Sequence, residues 1–119
     1  MEMNNITYLL TKQRRRKMAE RKIKFISKTV KWFDKVNGNT YHSNRIIRVK
    51  DSKTIVTPFT YGYGEQYKTT ALETMQENKW IPRKYWNENK WWYCRENNYP
   101  IHWEVSHGLK RDCIANGSI

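Results

Sequence analysis

Three histidines and two cysteines are the residues of this chain best suited to metal binding or proton transfer. Zinc takes thiolate and imidazole ligands, and four of the five residues fall in the last third of the sequence: Cys94, His102, His107 and Cys113. Seven, four and five residues separate them, which matches no standard zinc finger. Two of the three histidines, His42, His102 and His107, with a nearby lysine could act as base and acid in a metal-independent ribonuclease, but the spacing does not require it. We therefore expect no metal, no cofactor, no catalytic residues and no enzymatic activity.

The stretch YGYGEQY, residues 61–67, has the composition of a loop that could bind an anion. Gly62 and Gly64 precede a predicted helix, and a helix N-terminus attracts anions. The stretch lacks the Lys-Ser/Thr pair of a Walker loop and the third glycine of a dinucleotide fingerprint. We interpret it as a strand-to-helix corner with tyrosines packed around it.

Positive charge is the strongest global signal in the sequence. Lys and Arg total 23 against 11 Asp and Glu, which gives a net charge of +12. Such a charge favours polyanionic partners, of which nucleic acid is the commonest. Basic residues are densest in residues 1–24, the basic arm, which is predicted as a short helix or a solvated segment. Its candidate phosphate contacts are Arg14, Arg15, Arg16, Lys17, Arg21 and Lys22.

Residues 31–49, KWFDKVNGNTYHSNRIIRV, predict a β-hairpin. Asn-Gly is the strongest short hairpin signal, because both central positions of a type I′ turn need positive φ. A two-residue turn at Asn37-Gly38 would pair Val36 with Asn39 and Phe33 with His42.

This pairing predicts two different faces for the hairpin. The predicted core face carries Ile26, Val30, Trp32, Tyr41, Ile47 and Val49. The other face carries Phe25, Lys31, Phe33, Lys35, His42, Asn44, Arg48 and Lys50. Aromatic rings among cations on an exposed sheet bind bases and phosphates in RNA-recognition sheets. The alternative is that a helix or the C-terminal strands cover this face, with Phe25 and Phe33 in the core. In the first case the candidate nucleic-acid contacts are Lys31, Phe33, Lys35, His42, Arg48 and Lys50.

The surrounding pattern predicts an α+β fold. A three-stranded antiparallel meander is expected at residues 24–34, 40–50 and 54–61, followed by a helix with Tyr67, Ala71, Leu72 and Met75 on one side. The stretches KWWYCRE and IHWEVSH predict two further short strands. The predicted architecture is an antiparallel sheet of three to five strands, one packed helix and a basic N-terminal helix or arm.

At 119 residues the chain has the length of one domain. We divide it into the basic arm, residues 1–24, and an α+β domain, residues 25–119. That domain comprises the meander and helix, residues 25–81, and a Trp-rich part, residues 82–119, whose rings could form a core, a stacking surface or a protein interface. The absence of a signal sequence, of a span of about 20 apolar residues and of a cysteine framework predicts a soluble cytoplasmic protein without membrane contact.

Two motifs resemble a known group of sequences. VNGNTYHS at Val36–Ser43 and PFTYGYG at Pro58–Gly64, followed by a short helix, are similar to small phage-encoded proteins of unestablished function. The matching region runs from about Lys28 to Trp80. The resemblance implies a phage source and the cytoplasm of a host cell, but no mechanism.

The sequence therefore predicts a non-catalytic protein that binds RNA or DNA. The basic arm would neutralise phosphates, and the basic aromatic sheet face would stack on bases. An alternative is a phage accessory protein that binds and inhibits a host protein or ribonucleoprotein complex, such as a nucleic-acid-guided defence enzyme. A virion component is a third possibility.

Overall fold

The computed structural model describes residues 22–119, which form an α+β fold around one four-stranded sheet. The first three strands form the expected antiparallel meander: β1 (Phe25–Asp34), β2 (Asn39–Arg48) and β3 (Thr54–Tyr61). β4 (Ile101–His107) pairs with β1 in parallel, so the sheet is mixed and its order is β3-β2-β1-β4. The prediction of a purely antiparallel sheet is wrong, because the chain returns to β1 through a long helical connection rather than a hairpin.

Three α-helices and two short 3-10 turns complete the described residues. The helices are α1 (Gln66–Glu77), α2 (Lys90–Glu96) and α3 (Lys110–Asn116), and the 3-10 turns are Arg83–Tyr85 and Asn87–Asn89. Over residues 22–119, no helix combines the length and the apolar character needed to cross a membrane.

The β1–β2 turn differs from the predicted two-residue turn. Asp34 pairs with Asn39, so residues 35–38 form a four-residue turn. The Asp34 carboxylate accepts hydrogen bonds from the Val36 backbone N–H at 3.0 Å and from Asn37 Nδ2 at 2.8 Å. Gly38 alone among the turn residues has positive φ, at 71°. The Asp34 side chain therefore stabilises the four-residue turn through hydrogen bonds to residues that follow it, as aspartate commonly does.

The observed register lies two residues from the predicted one. Phe33 is opposite Thr40 rather than His42, and His42 is opposite Lys31. Because side chains alternate with a period of two, a two-residue shift leaves every side chain on its predicted side of the sheet. The division into two faces is thus correct, although the pairing is not.

The assignment of the core to one of these faces is wrong. α1 packs on the side that carries Phe25, His42 and Asn44, and all three are buried. Residues on the predicted core face are only half-buried, and Val49 is 48% exposed. α1 contacts this side through β2 and β3, where it bonds Asn44 and Thr57.

A polar seam lies between α1 and the sheet. Asn44 Nδ2 donates to Thr57 Oγ1 at 3.0 Å and to the Tyr67 carbonyl at 3.1 Å, while Asn44 Oδ1 accepts from Thr29 Oγ1 at 2.6 Å. His42 bonds the Gly62 carbonyl at 3.1 Å through Nδ1 and Thr70 Oγ1 at 2.8 Å through Nε2. Since the carbonyl can only accept, Nδ1 carries the proton in the neutral ring. These bonds explain how buried polar residues are tolerated in the core.

The predicted buried side of α1 is confirmed. Tyr67, Ala71, Leu72 and Met75 are buried, and the last three belong to a core that also includes Ile46. Other buried members of this core are Phe25, Ile81, Tyr85, Tyr93, Cys94 and Ile101. The Trp-rich part therefore supplies one wall of the main core.

In the Trp-rich part, IHWEVSH forms the predicted strand β4, but KWWYCRE forms α2 rather than a strand. Trp and Tyr favour strands only where the neighbouring surface suits them. Here the adjacent residues Tyr93 and Cys94 are both buried, and the Asn97 N–H bonds the Tyr93 carbonyl at 3.1 Å. Adjacent residues of a strand point to opposite faces, whereas a helix can bury Tyr93 and Cys94 together in the core.

α3 was not predicted, and it packs on the side of the sheet opposite α1. The Cys113 carbonyl accepts from Ser43 Oγ at 2.6 Å, and Asn116 Nδ2 donates to the Lys28 carbonyl at 3.0 Å. α3 thus covers part of the predicted core face.

Candidate nucleic-acid interface

The sequence-predicted contacts divide into three groups in space. Arg14, Arg15, Arg16, Lys17 and Arg21 lie outside the described residues. Lys22, Arg48 and Lys50 meet at one cavity. The remaining four, Lys31, Phe33, Lys35 and His42, lie away from it.

This cavity, called the basic cavity below, has a volume of about 760 Å³. It lies where β1 begins and β2 ends, against residues 80–97. Its five cationic lining residues are Lys22, Lys24, Arg48, Lys50 and Lys84. Among the described residues that line it, none is acidic. The cavity therefore concentrates positive charge in a volume typical of ligand sites, about 300–1,000 Å³.

Aromatic rings form the floor of the basic cavity. The four rings are Phe25, Trp80, Tyr85 and Tyr93. Phe25 and Trp80 stack with ring centres 5.7 Å apart, and Tyr85 meets Tyr93 edge-on at 5.5 Å. Because Phe25 and Tyr93 are buried core residues, the floor is fixed to the fold.

Arg48 adds a charged layer to this floor. Its guanidinium carbon lies 4.5 Å from the centre of the Trp80 ring. Nε and Nη2 donate to the two carboxylate oxygens of Asp51 at 3.1 and 2.9 Å. The Arg48 hydrogen bonds lower the pKa of Asp51, so the carboxylate is charged at neutral pH. The pair holds the guanidinium plane in a defined orientation.

Tyr85 and Lys84 are held at the opposite wall. The Tyr85 hydroxyl donates to Glu96 Oε1 at 2.6 Å, and this bond raises the pKa of the phenol. Lys84 Nζ lies 5.0 Å from the Tyr85 ring centre. The Tyr85 phenol is thus neutral, and it donates its proton to a hydrogen bond with the Glu96 carboxylate.

The other predicted contacts are set apart from the basic cavity. Lys31 Nζ donates to the Gly64 carbonyl at 2.7 Å, so it secures the corner before α1. His42 is fully buried in the polar seam, and the prediction that it faces solvent is wrong because α1 covers it. Phe33 is 53% exposed and Lys35 is exposed in the turn. Phe33 lies eight residues along β1 from Phe25, about 26 Å at the usual rise of a strand.

YGYGEQY forms the predicted strand-to-helix corner, but of its tyrosines only Tyr67 is buried, while Tyr61 and Tyr63 are exposed. Gly62 lies so close to His42 that a Cβ would meet its ring at 2.6 Å, and Gly64 has a φ of 61°. Both glycines are therefore needed for chain geometry.

The sheet face opposite α1 carries a second group of aromatic residues. Tyr41 and Phe59 stack at 4.9 Å, and Trp32 lies 5.6 Å from Tyr41. Lys110 Nζ lies 5.5 Å from the centre of the Trp32 ring. Since these rings cover one another's faces, they offer mostly their edges to a ligand.

The candidate metal and catalytic residues are dispersed. Cys94 and Cys113 are buried free thiols, and burial raises the pKa of Cys94 to about 11. His102 Nε2 lies 3.4 Å from Glu104 Oε2 on an exposed part of β4. Within the part of the chain that the structure describes, no three His, Cys, Asp or Glu side chains gather at a common point.

Sequence reasoning missed Lys24 and Lys84 as parts of the site, and it considered Trp80, Tyr85 and Tyr93 only as members of an aromatic cluster that could form a core, a stacking surface or a protein interface. The stretch KWIPRKYW, residues 79–86, carried a usable signal, since cations alternate with aromatic residues beside a proline. Only the fold shows that this stretch faces the ends of β1 and β2. Comparisons with protein-family models, curated proteins and solved structures give no significant match.

Proposed function

We propose that this protein binds nucleic acid without catalysing a reaction on it, and that the basic cavity is its main contact site on the folded domain. The observation that carries the proposal is the convergence of four exposed lysines, together with Arg48 paired to Asp51, on one aromatic-floored cavity whose described lining has no carboxylate. A phosphate backbone supplies the repeated negative charges that such a cluster attracts.

The charge of the cavity lysines is available to a ligand. Lys22, Lys24, Lys50 and Lys84 are exposed, and no ion pair within residues 22–119 involves them. Lys22 directly follows the most basic part of the sequence, so phosphates could be contacted by the cavity and by the basic arm in succession.

The proposal is tested by the salt dependence of binding to a fluorescent single-stranded oligonucleotide. Each phosphate contact contributes about 0.7 to the slope of log affinity against log salt for single strands. Replacing Lys24, Lys50 and Lys84 together with Ala should therefore reduce the slope by up to about 2. Folding should be little affected, because all three side chains are exposed.

The matched control replaces Lys28, Lys35 and Lys110 with Ala, which removes the same charge from the hairpin turn and from the sheet face opposite α1. This variant should keep nearly the parental slope. Equal slopes for the two triple variants would show that binding depends on net charge alone, and would refute the cavity as the site.

A second candidate function is contact with a host or phage protein, as expected of a phage accessory protein. It is favoured by the apolar side chains exposed at the hairpin end of the sheet, where Val36 is 91%, Tyr61 55% and Tyr63 69% exposed. Tyrosine is enriched in protein-interface hot spots. Replacing Tyr61 and Tyr63 with Ser should abolish capture of such a partner from infected-cell extracts while leaving oligonucleotide affinity unchanged. Unchanged capture would refute this role for the hairpin end.

A further inference from the structure

We propose that the basic cavity holds one unpaired nucleotide, with its base stacked on the Arg48 guanidinium and its phosphates on the surrounding lysines. This inference rests on the proposed function and makes it more specific. It predicts a preference for single strands over duplexes.

The first support is a layered arrangement of planar groups. Phe25 stacks on Trp80 with their planes only 19° apart, and the Arg48 guanidinium lies over Trp80 at 4.5 Å. Phe25, Arg48 and Trp80 all line the cavity, so this group of planar side chains lies at its surface. Bases stack on arginine planes as well as on aromatic rings, so a base can add the next layer.

The second support is the state of Arg48 itself. Its side chain is 21% exposed, although one side is covered by Trp80. Asp51 occupies Nε and Nη2, the edge with which an arginine commonly binds a phosphate in a two-pronged contact. Arg48 is thus poorly placed as a phosphate contact, whereas it is part of the cavity lining, where its guanidinium can meet a base.

The third support is the shape of the charge distribution. The lysines around the cavity are exposed, while Phe25, Tyr85 and Tyr93 on its floor are buried. A ligand that suits the cavity therefore carries its negative charge at the rim, near the lysines, and a flat apolar group toward the floor, near the rings. An unstacked nucleotide has this form, whereas a duplex keeps its bases stacked and offers mainly phosphates to a concave basic surface.

The test measures binding of the full chain to a ten-nucleotide single strand and to the duplex of the same sequence, over one series of salt concentrations. The diagnostic variant is Arg48→Lys, which keeps the charge and removes the plane. The matched control is Arg45→Lys, because Arg45 is half-buried on the opposite sheet face and bonds the Ser118 carbonyl.

The single strand should bind more tightly than the duplex. Arg48→Lys should weaken single-strand binding by about 5- to 150-fold, the worth of one stacked base. The salt slope should stay unchanged, and duplex binding should change little. Arg45→Lys should leave both affinities near the parental values.

Three results would overturn the inference. Equal binding of single strand and duplex, both insensitive to Arg48→Lys but steeply salt-dependent, would refute the stacked base and leave the proposed function standing. Equal losses for single strand and duplex on Arg48→Lys would make Arg48 a contact to the phosphate backbone, which both ligands share, and not to a base. Failure of the parental chain to bind either ligand would refute the proposed function as well.

Discussion

Two phenylalanines on the same side of β1 should respond very differently to truncation. Phe25 is 4% exposed and packs against Trp80 and Tyr93, whereas Phe33, eight residues later, is 53% exposed. Phe25→Ala removes a ring from the core, and Phe33→Ala removes a ring at the solvent-facing end of the hairpin. The pair of variants therefore reports how far α1 and the Trp-rich part cover this side of the sheet.

The magnitudes follow from burial. A buried Phe→Ala change costs about 3–5 kcal/mol of unfolding free energy, and an exposed one usually less than about 1 kcal/mol. For a domain of about 100 residues, 1 kcal/mol corresponds to about 4 °C in Tm. Phe25→Ala should thus lower Tm by about 12–20 °C, and Phe33→Ala by no more than a few degrees.

Thermal and urea unfolding, followed by circular dichroism, measure both values. The urea m-value should be equal for the two variants, which would show that the change is in stability and not in the extent of unfolding. Similar Tm values for Phe25→Ala and Phe33→Ala would refute the burial of Phe25 against Trp80 and Tyr93 and would leave an open platform at this end of the strand as well.

Three further predictions concern the basic arm, the turn and the polar seam. Replacing residues 14–17 (RRRK) with Ala should flatten the salt slope for all oligonucleotide sequences alike, and an unchanged slope would exclude the basic arm from binding. Gly38→Val should cost about 1–2 kcal/mol in urea unfolding, because φ is 71° at this position; an unchanged midpoint would contradict the observed turn. Burial lowers the pKa of His42 below its usual 6.5. As the pH falls, His42 therefore becomes protonated in the unfolded chain before it does so in the folded protein, and the free energy of unfolding should decrease below about pH 6.5. His42→Gln should weaken this pH dependence, and an identical pH profile would contradict a buried neutral His42.

Much of the fold could be predicted because local patterns and tertiary packing agree there. The alternation in β1, β2 and β3 defines three strands, and the spacing of Tyr67, Ala71 and Met75 defines the buried side of α1. In these elements, the residues that must be buried are also those that the helix or strand period brings together.

The choice of core face could not be predicted because the buried side of the sheet is polar in its middle. Ser27, Thr29 and Asn44 have the composition of a solvent-facing surface. Thr29 and Asn44 are tolerated in the core because Thr29 bonds Asn44, and Asn44 finds further partners on α1 and β3, at Tyr67 and Thr57. Such partners become apparent only when the helix is in place.

Only some of the residues that line the basic cavity could be predicted from the sequence. Lys22, Arg48 and Lys50 were identified from charge, but Lys84 lies 34 residues beyond Lys50 and meets it only through the fold. α2, which supplies Tyr93 to the cavity floor, has only seven residues, and so short a helix has little stability of its own. An element that completes the cavity therefore has a weak local signal.

Photocrosslinking tests the central claim most directly. A single-stranded oligonucleotide carrying photoreactive uracils would be irradiated with the full chain, and crosslinked residues would be identified by peptide mass spectrometry. The account predicts crosslinks to the cavity floor and wall, at Arg48, Trp80, Tyr85 or Tyr93, which are lost when Lys24, Lys50 and Lys84 are replaced by Ala. Crosslinks confined to the hairpin end, or unchanged in that variant, would contradict it.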